Sequence, residues 1–249
     1  MKEEWISGKN SVLEAIRSER AINKVWVAEN AGRGQMKQIY QAVREKNIIV
    51  QQAPRKKLDE LSGNPRHQGV VASVAAYHYA ELEDIFEKAA ALQEEPFFIL
   101  LDEIADPHNL GSILRTADAA GAHGVIIPKR RSVGLTQAVA KSSTGAIEHV
   151  PVVRVTNMGR TMEELKKQGL WLAGTDASGK EDFREWNADM PLGLVIGSEG
   201  KGMSRLVKEK CDFLIKIPMK GHVTSLNASV AASLLMYEVY RKRHPLGRE

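Results

Sequence analysis

The sequence predicts an α/β protein whose larger part is an open, mostly parallel sheet, preceded by a smaller α/β unit. Short apolar runs that read as strands alternate with stretches of helical apolar spacing from one end of the chain to the other. Phe97 to Leu101 is apolar at every position, as in a strand buried on both faces. The strands beginning at Leu192 and Phe213 each run into a loop rich in Gly, Ser or Thr, and in such sheets ligands gather at carboxyl strand ends.

At 249 residues and 43% hydrophobic, the chain has enough apolar material for one large domain or two small ones. It contains no run of about 18 apolar residues and no charged start followed by an apolar signal region, so nothing marks it for a membrane or export. Cys211 is the single cysteine, which excludes an internal disulfide and a cysteine-based zinc site and points to a reducing, cytoplasmic compartment. We expect it to pack rather than react.

The net charge is +4 and its distribution is uneven. Residues 1–77 carry 13 Lys and Arg against 8 Asp and Glu, residues 78–96 carry 1 against 6, and residues 97–249 carry 21 against 17. The chain therefore divides into a basic unit at 1–77, an acidic spacer helix at 78–96 and a basic body at 97–249. Two basic modules joined by an acidic spacer suit a polyanion such as RNA, and they equally suit a solvated charged surface.

In the first unit, Ser7-Gly8-Lys9-Asn10-Ser11 opens a helix with Val12, Leu13 and Ile16 inward, and Ile22 to Ala28 reads as a strand. A helix is predicted over Gln35 to Lys46, a strand over Ile48 to Gln52, a short helix over Arg55 to Leu61, and a β-branched strand over Val70 to Ala76. The exposed chemistry is basic: Lys9, Arg33, Arg55-Lys56-Lys57, then Arg66-His67-Gln68 in a turn. Arg66, His67 and Gln68 can meet a phosphate or base edge, or form an ordinary polar loop.

The spacer carries one amphipathic helix, Glu81 to Leu92, ended by Glu94-Glu95-Pro96. The body then alternates: strand 97–101; a helix with Asn109 near its cap and Leu110, Ile113, Leu114 and Ala117 on one face; strand Gly124 to Pro128. The basic Lys129-Arg130-Arg131 follows, then a helix around Thr136 to Ser142, a strand over Ile147 to Val153, a helix over Met162 to Gln168 and a strand over Leu170 to Thr175. Arg115 falls off the apolar stripe of its helix. There it can serve a phosphate or a reacting hydroxyl, or simply face solvent.

The last fifty residues organise the rest. Leu192 to Ile196 leads into Gly197-Ser198-Glu199-Gly200-Lys201-Gly202, and Phe213 to Met219 leads to a long helix with Ser225, Leu226 and Asn227 at its start. The glycine spacing is neither that of a P-loop nor that of a dinucleotide fingerprint, so an NTP or dinucleotide site is not expected. Such loops either bare the backbone to a small ligand or merely turn strand into helix. Of the seven histidines, His67, His108 and His222 lie in loops; none has metal-ligand company, and no carboxylate cluster suggests a metal.

Asn109-x5-Arg115, then Ile196-Gly197-Ser198-Glu199-Gly200-Lys201-Gly202, then Ile217-Pro218-Met219 with Ser225-Leu226-Asn227-Ala228-Ser229, resemble in order the three motifs of the SpoU (TrmH-like) RNA ribose 2'-O-methyltransferases. Gly8-Lys9-Asn10-Ser11-Val12 and His67-Gln68-Gly69 resemble the substrate-binding domain of RlmB-type members, which is similar to the ribosomal protein L30e fold. The resemblance implies a trefoil-knotted (SPOUT) catalytic domain, S-adenosylmethionine (SAM) as cofactor, and a homodimer through that domain.

Carried over residue by residue, it implies SAM contacts at Thr175, Gly197, Glu199, Gly200, Ile217, Pro218, Met219, Ser225, Leu226 and Asn227. Catalytic roles fall to Asn109, Arg115, Glu199, Ser225 and Asn227, with Arg115 tied to activation of the hydroxyl and Glu199 orienting Arg115 or capping nearby amides. Lys9, Arg66, His67, Gln68, Lys129, Arg130 and Arg131 are the expected RNA contacts, and no metal is implied. The substrate implied is a guanosine of large-subunit (23S) ribosomal RNA. A transfer RNA methyltransferase, or a structured-RNA binder without chemistry, remains the alternative.

Overall fold

The computed structural model describes residues 5–17, 21–32, 34, 36–74 and 77–247. Arg33, Gln35 and the end of the strand expected to reach Ala76 lie outside the described residues. The chain divides into two compact units: residues 1–78 with the segment 134–138, and residues 79–133 with 139–249.

In the first unit the elements run β1 (Trp5–Ser7), α1 (Lys9–Arg17), β2 (Ile22–Ala28), α2 (Lys37–Glu45), β3 (Val50–Ala53), α3 (Arg55–Ser62) and β4 (Val70–Val74). They form a four-stranded sheet of order β1-β4-β2-β3, with β2 parallel to β3 and antiparallel to β4. Val12 and Ile16 of α1 and Ile39 and Val43 of α2 bury against Val25, Val27, Val70 and Ala72 of the sheet. Leu58 of α3 packs with Ala28, Ala53 and Val71. β1 was not foreseen: three residues are too few to show a periodicity, and pairing with β4 defines it.

The second unit holds α4 (Leu82–Leu92), β5 (Phe97–Leu101), α5 (Pro107–Ala119), β6 (Gly124–Pro128), α6 (Gln137–Ser143), β7 (Val152–Val155), α7 (Met158–Lys167) and β8 (Trp171–Thr175). β9 (Glu181–Asp182), β10 (Leu192–Ile196), α8 (Arg205–Lys210), β11 (Phe213–Lys216) and α9 (Ala228–Arg243) complete it. The seven strands are ordered β7-β6-β5-β10-β8-β11-β9, and neighbouring pairs are parallel throughout. Every residue of β5 and of β10 is buried, which is why neither sequence alternates. Each Leu or Phe buried this way contributes roughly 2 kcal/mol.

Several boundaries differ from expectation, among them β3, which begins at Val50 and not Ile48, and α7, which begins at Met158 and not Met162. Residues 146–148 form a 3-10 turn entered through Gly145 at φ 97°, and β7 starts only at Val152, because Pro151 has no N–H for a ladder. β11 ends at Lys216, so Ile217, Pro218 and Met219 belong to a loop, Pro218 again lacking the donor a strand needs. The cap of α5 is Asp106, whose side chain accepts from the His108 N–H at 2.7 Å; Pro107 occupies the first turn and Asn109 stands inside it.

His123 is 1% exposed; its Nδ1 accepts the Phe97 N–H at 3.0 Å and its Nε2 lies 3.1 Å from Glu94 Oε2. Burial pushes its pKa below the ordinary histidine value, partly opposed by Glu94. The unfolded chain therefore takes up a proton near pH 6.5 that the folded chain refuses. Stability from this site is present above that pH and lost as pH falls toward the folded value. His123→Asn keeps an acceptor for Phe97 and cannot titrate. Urea unfolding should show wild type losing more stability than the variant between pH 7.5 and 5.5.

Candidate active site

The sheet order explains why residues far apart in sequence meet. β10 lies between β5 and β8, with Ile196 opposite Leu101 and Val195 opposite Gly174, while Ile215 of β11 stands opposite Thr175. Because all these strands are parallel, the loops after β5, β8, β10 and β11 leave from the same edge. The Asp102 N–H donates to Ile196 O at 2.8 Å, and buried Asp102 Oδ2 accepts the Ser204 N–H at 2.6 Å, so both ends of the glycine loop are fixed to the loop after β5.

The glycine loop itself is a tight return. The Ser198 N–H donates to Gly202 O at 3.0 Å and the Gly202 N–H to Ser198 O at 2.9 Å, with Gly200 at φ 77° and Gly202 at φ 68°. A Cβ on Gly197 would sit 2.2 Å from the carbonyl carbon of Gly202 and the nitrogen of Met203, so no other residue fits there without moving the loop.

This return presents Glu199 to α5 and α9. Asn109 Nδ2 donates to Glu199 Oε1 at 2.9 Å, the Ala228 N–H donates to the same oxygen at 3.3 Å, and Asn227 Nδ2 donates both to Glu199 and to Asn109 Oδ1, the latter at 3.0 Å. Asn227 also caps α9, its Oδ1 accepting the Ser229 N–H at 2.9 Å and the Val230 N–H at 3.3 Å. One carboxylate and two amides thus tie the loops after β5, β10 and β11 together. The cap of α9 is Asn227, and Ser225 is an exposed loop residue outside the helix.

Thr175, Gly197 and Ile217 sit at or just beyond the ends of three adjacent strands. Pro218, Met219 and Ser225 are exposed in the loop between β11 and α9, and Leu226 is half-buried. Arg115 is exposed on α5, and no hydrogen bond or ion pair holds it among the described residues. The Glu199 carboxylate bonds within this chain to Asn109, Asn227 and the amide of Ala228. The far end of α9 is anchored by Arg243, which donates to Glu95 O and Met190 O, each at 2.7 Å.

The candidate RNA contacts divide. Lys9 and Arg66 reach the surface; Lys129 and Arg130 follow β6, and burial together with the charge of Arg154 pushes the pKa of Lys129 down. Arg131 is bound to Glu103 at 2.9 Å. His67 was expected at the surface and is fully buried. Its Nδ1 accepts the Gly69 N–H at 3.0 Å and its Nε2 faces Asp59 Oδ1 at 3.1 Å, so it braces the turn instead of meeting a partner. Gln68 Oε1 accepts the Lys9 N–H at 3.0 Å. Burial, reinforced by Asp212, pushes the Cys211 thiol up to about 12, which makes it a packing group. Among the described residues no group of three His, Cys, Asp or Glu could hold a metal.

The fold is that of a parallel-sheet α/β protein with a side-chain cluster at the carboxyl strand ends and a small α/β unit earlier in the chain. The chain matches the model of the SpoU rRNA Methylase family over residues 96–237 and that of the RNA 2'-O ribose methyltransferase substrate-binding domain over residues 5–80. It belongs to the SpoU family of RNA methyltransferases. It is 63% identical to the Bacillus subtilis (strain 168) protein named "Putative TrmH family tRNA/rRNA methyltransferase YacO" over 244 residues, 98% of each chain. The crystal structure of the SpoU methyltransferase AviRb from Streptomyces viridochromogenes, in complex with the cofactor AdoMet, is similar with a TM-score of 0.62 and 28% identity, over 97% of this chain and 90% of that one. The A. aeolicus TrmH/SpoU tRNA modifying enzyme matches with a TM-score of 0.55 and 28% identity, over 64% of this chain and 84% of its own.

Proposed function

We propose that the chain is a SAM-dependent ribose 2'-O-methyltransferase that modifies a guanosine of large-subunit ribosomal RNA. The observation that carries the reading is the bridge of Asn109, Glu199 and Asn227, which fixes three strand-end loops around the glycine return. The residues suit the cofactor. Gly197 admits no side chain, and residues 217–227 lie outside helix and strand, which leaves backbone groups for a ligand. Thr175, Gly197, Glu199, Gly200, Ile217, Pro218, Met219, Ser225, Leu226 and Asn227 would hold it, and it supplies a methyl already activated on a sulfonium.

The chain's own residues then align the ribose hydroxyl and stabilise its developing negative charge. Arg115 suits that second task as a fixed cation, for the hydroxyl oxygen or the adjacent phosphate. Asn109 and Asn227 hold Glu199 and the α9 amino end in place, so that the cradle is preorganised. We assign domain roles accordingly: 1–77 selects RNA, 78–96 links, and 97–249 carries the chemistry, the last fifty residues forming the trefoil crossing. The insertion of β10 between β5 and β8 supports that crossing.

Val230, Leu234 and Tyr237 are 47%, 42% and 51% exposed and follow one face of α9. We assign this stripe to the homodimer. Leu234→Glu with Tyr237→Glu should shift sedimentation from dimer to monomer and lower methyl transfer at least about tenfold; an unchanged dimer would assign another face.

Radiolabelled methyl transfer to ribosomal and to transfer RNA tests the main reading. Label on ribosomal RNA, lost when the target 2'-hydroxyl is absent, is the expected result. Label on transfer RNA alone would favour the second reading, which the likeness to the A. aeolicus enzyme supports. No label on either, with RNA binding intact, would reduce the protein to a binder.

A further inference from the structure

We propose that a cleft in the first unit holds one unpaired nucleotide of the RNA; this rests on reading the protein as an RNA methyltransferase. The cleft, about 510 Å³, is lined by Lys9 and Asn10 at the start of α1, Asn30 after β2, Arg55 at the start of α3, and Gln68 and Gly69 before β4. Among the described residues no carboxylate lines it. Two cations and three amides from four separate segments offer both a phosphate contact and hydrogen-bonding groups for a base edge.

The cleft is built, not incidental. Gly69 lies at φ 80°, and a Cβ there would come within 3.1 Å of Met36 Cε and 3.4 Å of Ala31 Cβ, so its floor needs glycine. His67 fixes that floor from below through the Gly69 N–H, and Gln68, held at φ 53°, is tied to α1 through the Lys9 N–H, leaving its amide NH₂ to donate. Among the described residues no hydrogen bond engages the side chains of Asn10, Asn30 or Arg55, and all three are exposed.

Among the described residues no aromatic side chain lines the cleft, so aromatic stacking contributes nothing and selection rests on base edge, phosphate and the guanidinium of Arg55. A paired base offers its edge to its partner strand, and only an unpaired one can enter. His67, which read from sequence as a contact, is a positioning residue; Arg55, Asn30, Asn10 and the amide of Gln68 do the reading.

The test uses the full chain, an RNA hairpin with an unpaired loop, and a blunt duplex of equal stem length, with fluorescence anisotropy at several salt concentrations. Wild type should prefer the hairpin. Arg55→Gln should weaken hairpin binding and reduce the slope of log K against log salt by about 0.7 to 1. Asn30→Leu should weaken hairpin binding about tenfold with its salt slope unchanged, and neither change should alter duplex binding. If a variant melts early, Asn10→Leu is read in its place. Equal loss on hairpin and duplex, no loss on the hairpin, or no preference in wild type overturns the nucleotide site and leaves RNA methylation standing. A wild type that binds neither RNA overturns both.

Discussion

Replacing Arg115 by alanine is expected to lower kcat for methyl transfer by about two to three orders of magnitude, the size seen when one preorganised charge-stabilising donor is removed. SAM affinity, measured by calorimetry, should not change. The side chain is exposed on α5 and engaged by nothing among the described residues, so its loss should not disturb the fold. A guanidinium holds its proton across the range in which proteins work, so its contribution is a fixed positive charge. Arg115→Lys restores the charge without the planar fork and should retain measurable activity, with a pH profile altered only in amplitude. A lysine variant whose rate rises with a new ionisation would instead make residue 115 a base, and unchanged turnover in the alanine variant would remove it from the chemistry.

Gly197→Ala should reduce SAM affinity at least about a hundredfold and destabilise the chain by roughly 1–3 kcal/mol. The added methyl would lie 2.2 Å from two backbone atoms of the returning strand, and backbone cannot step aside as a flexible side chain does. Gly200→Ala is the comparison. A Cβ there meets nothing within 4 Å, and only its left-handed backbone at φ 77° resists, so about 1 kcal/mol of stability is expected to go. Calorimetry for SAM and urea unfolding should rank the two variants in that order. If Gly197→Ala binds SAM like wild type, the glycine return is a turn and nothing more.

Much of this arrangement was legible in the sequence. Apolar runs with no alternation marked β5 and β10, and helical spacing marked α5, because buried faces impose their period on the chain. Where hydrogen bonding decides, composition was a poorer guide. Asn109 and Ser225 both stand near a helix start in the sequence, yet Asp106 and Asn227 are the caps, since several residues there can cap and only geometry chooses among them. His67 read as a surface residue because its neighbours are polar. Its burial depends on Asp59 and Gly69, one of them in a different element. The bridge from Asn109 through Glu199 to Asn227 spans residues 90 and 118 positions apart, a separation no local pattern reports.

The placement of β10 bears on how the chain reaches this state. β5 is made early, yet the neighbour that pairs with all five of its residues emerges only after residue 191. Until then the half formed by β5, β6 and β7 and the strand β8 each carry an open apolar edge, and β10 must insert between them, while β11, made later still, adds on the far side of β8. Closure of the sheet thus waits on a late, long-range pairing, which leaves nascent sheet edges exposed to aggregation in the interval.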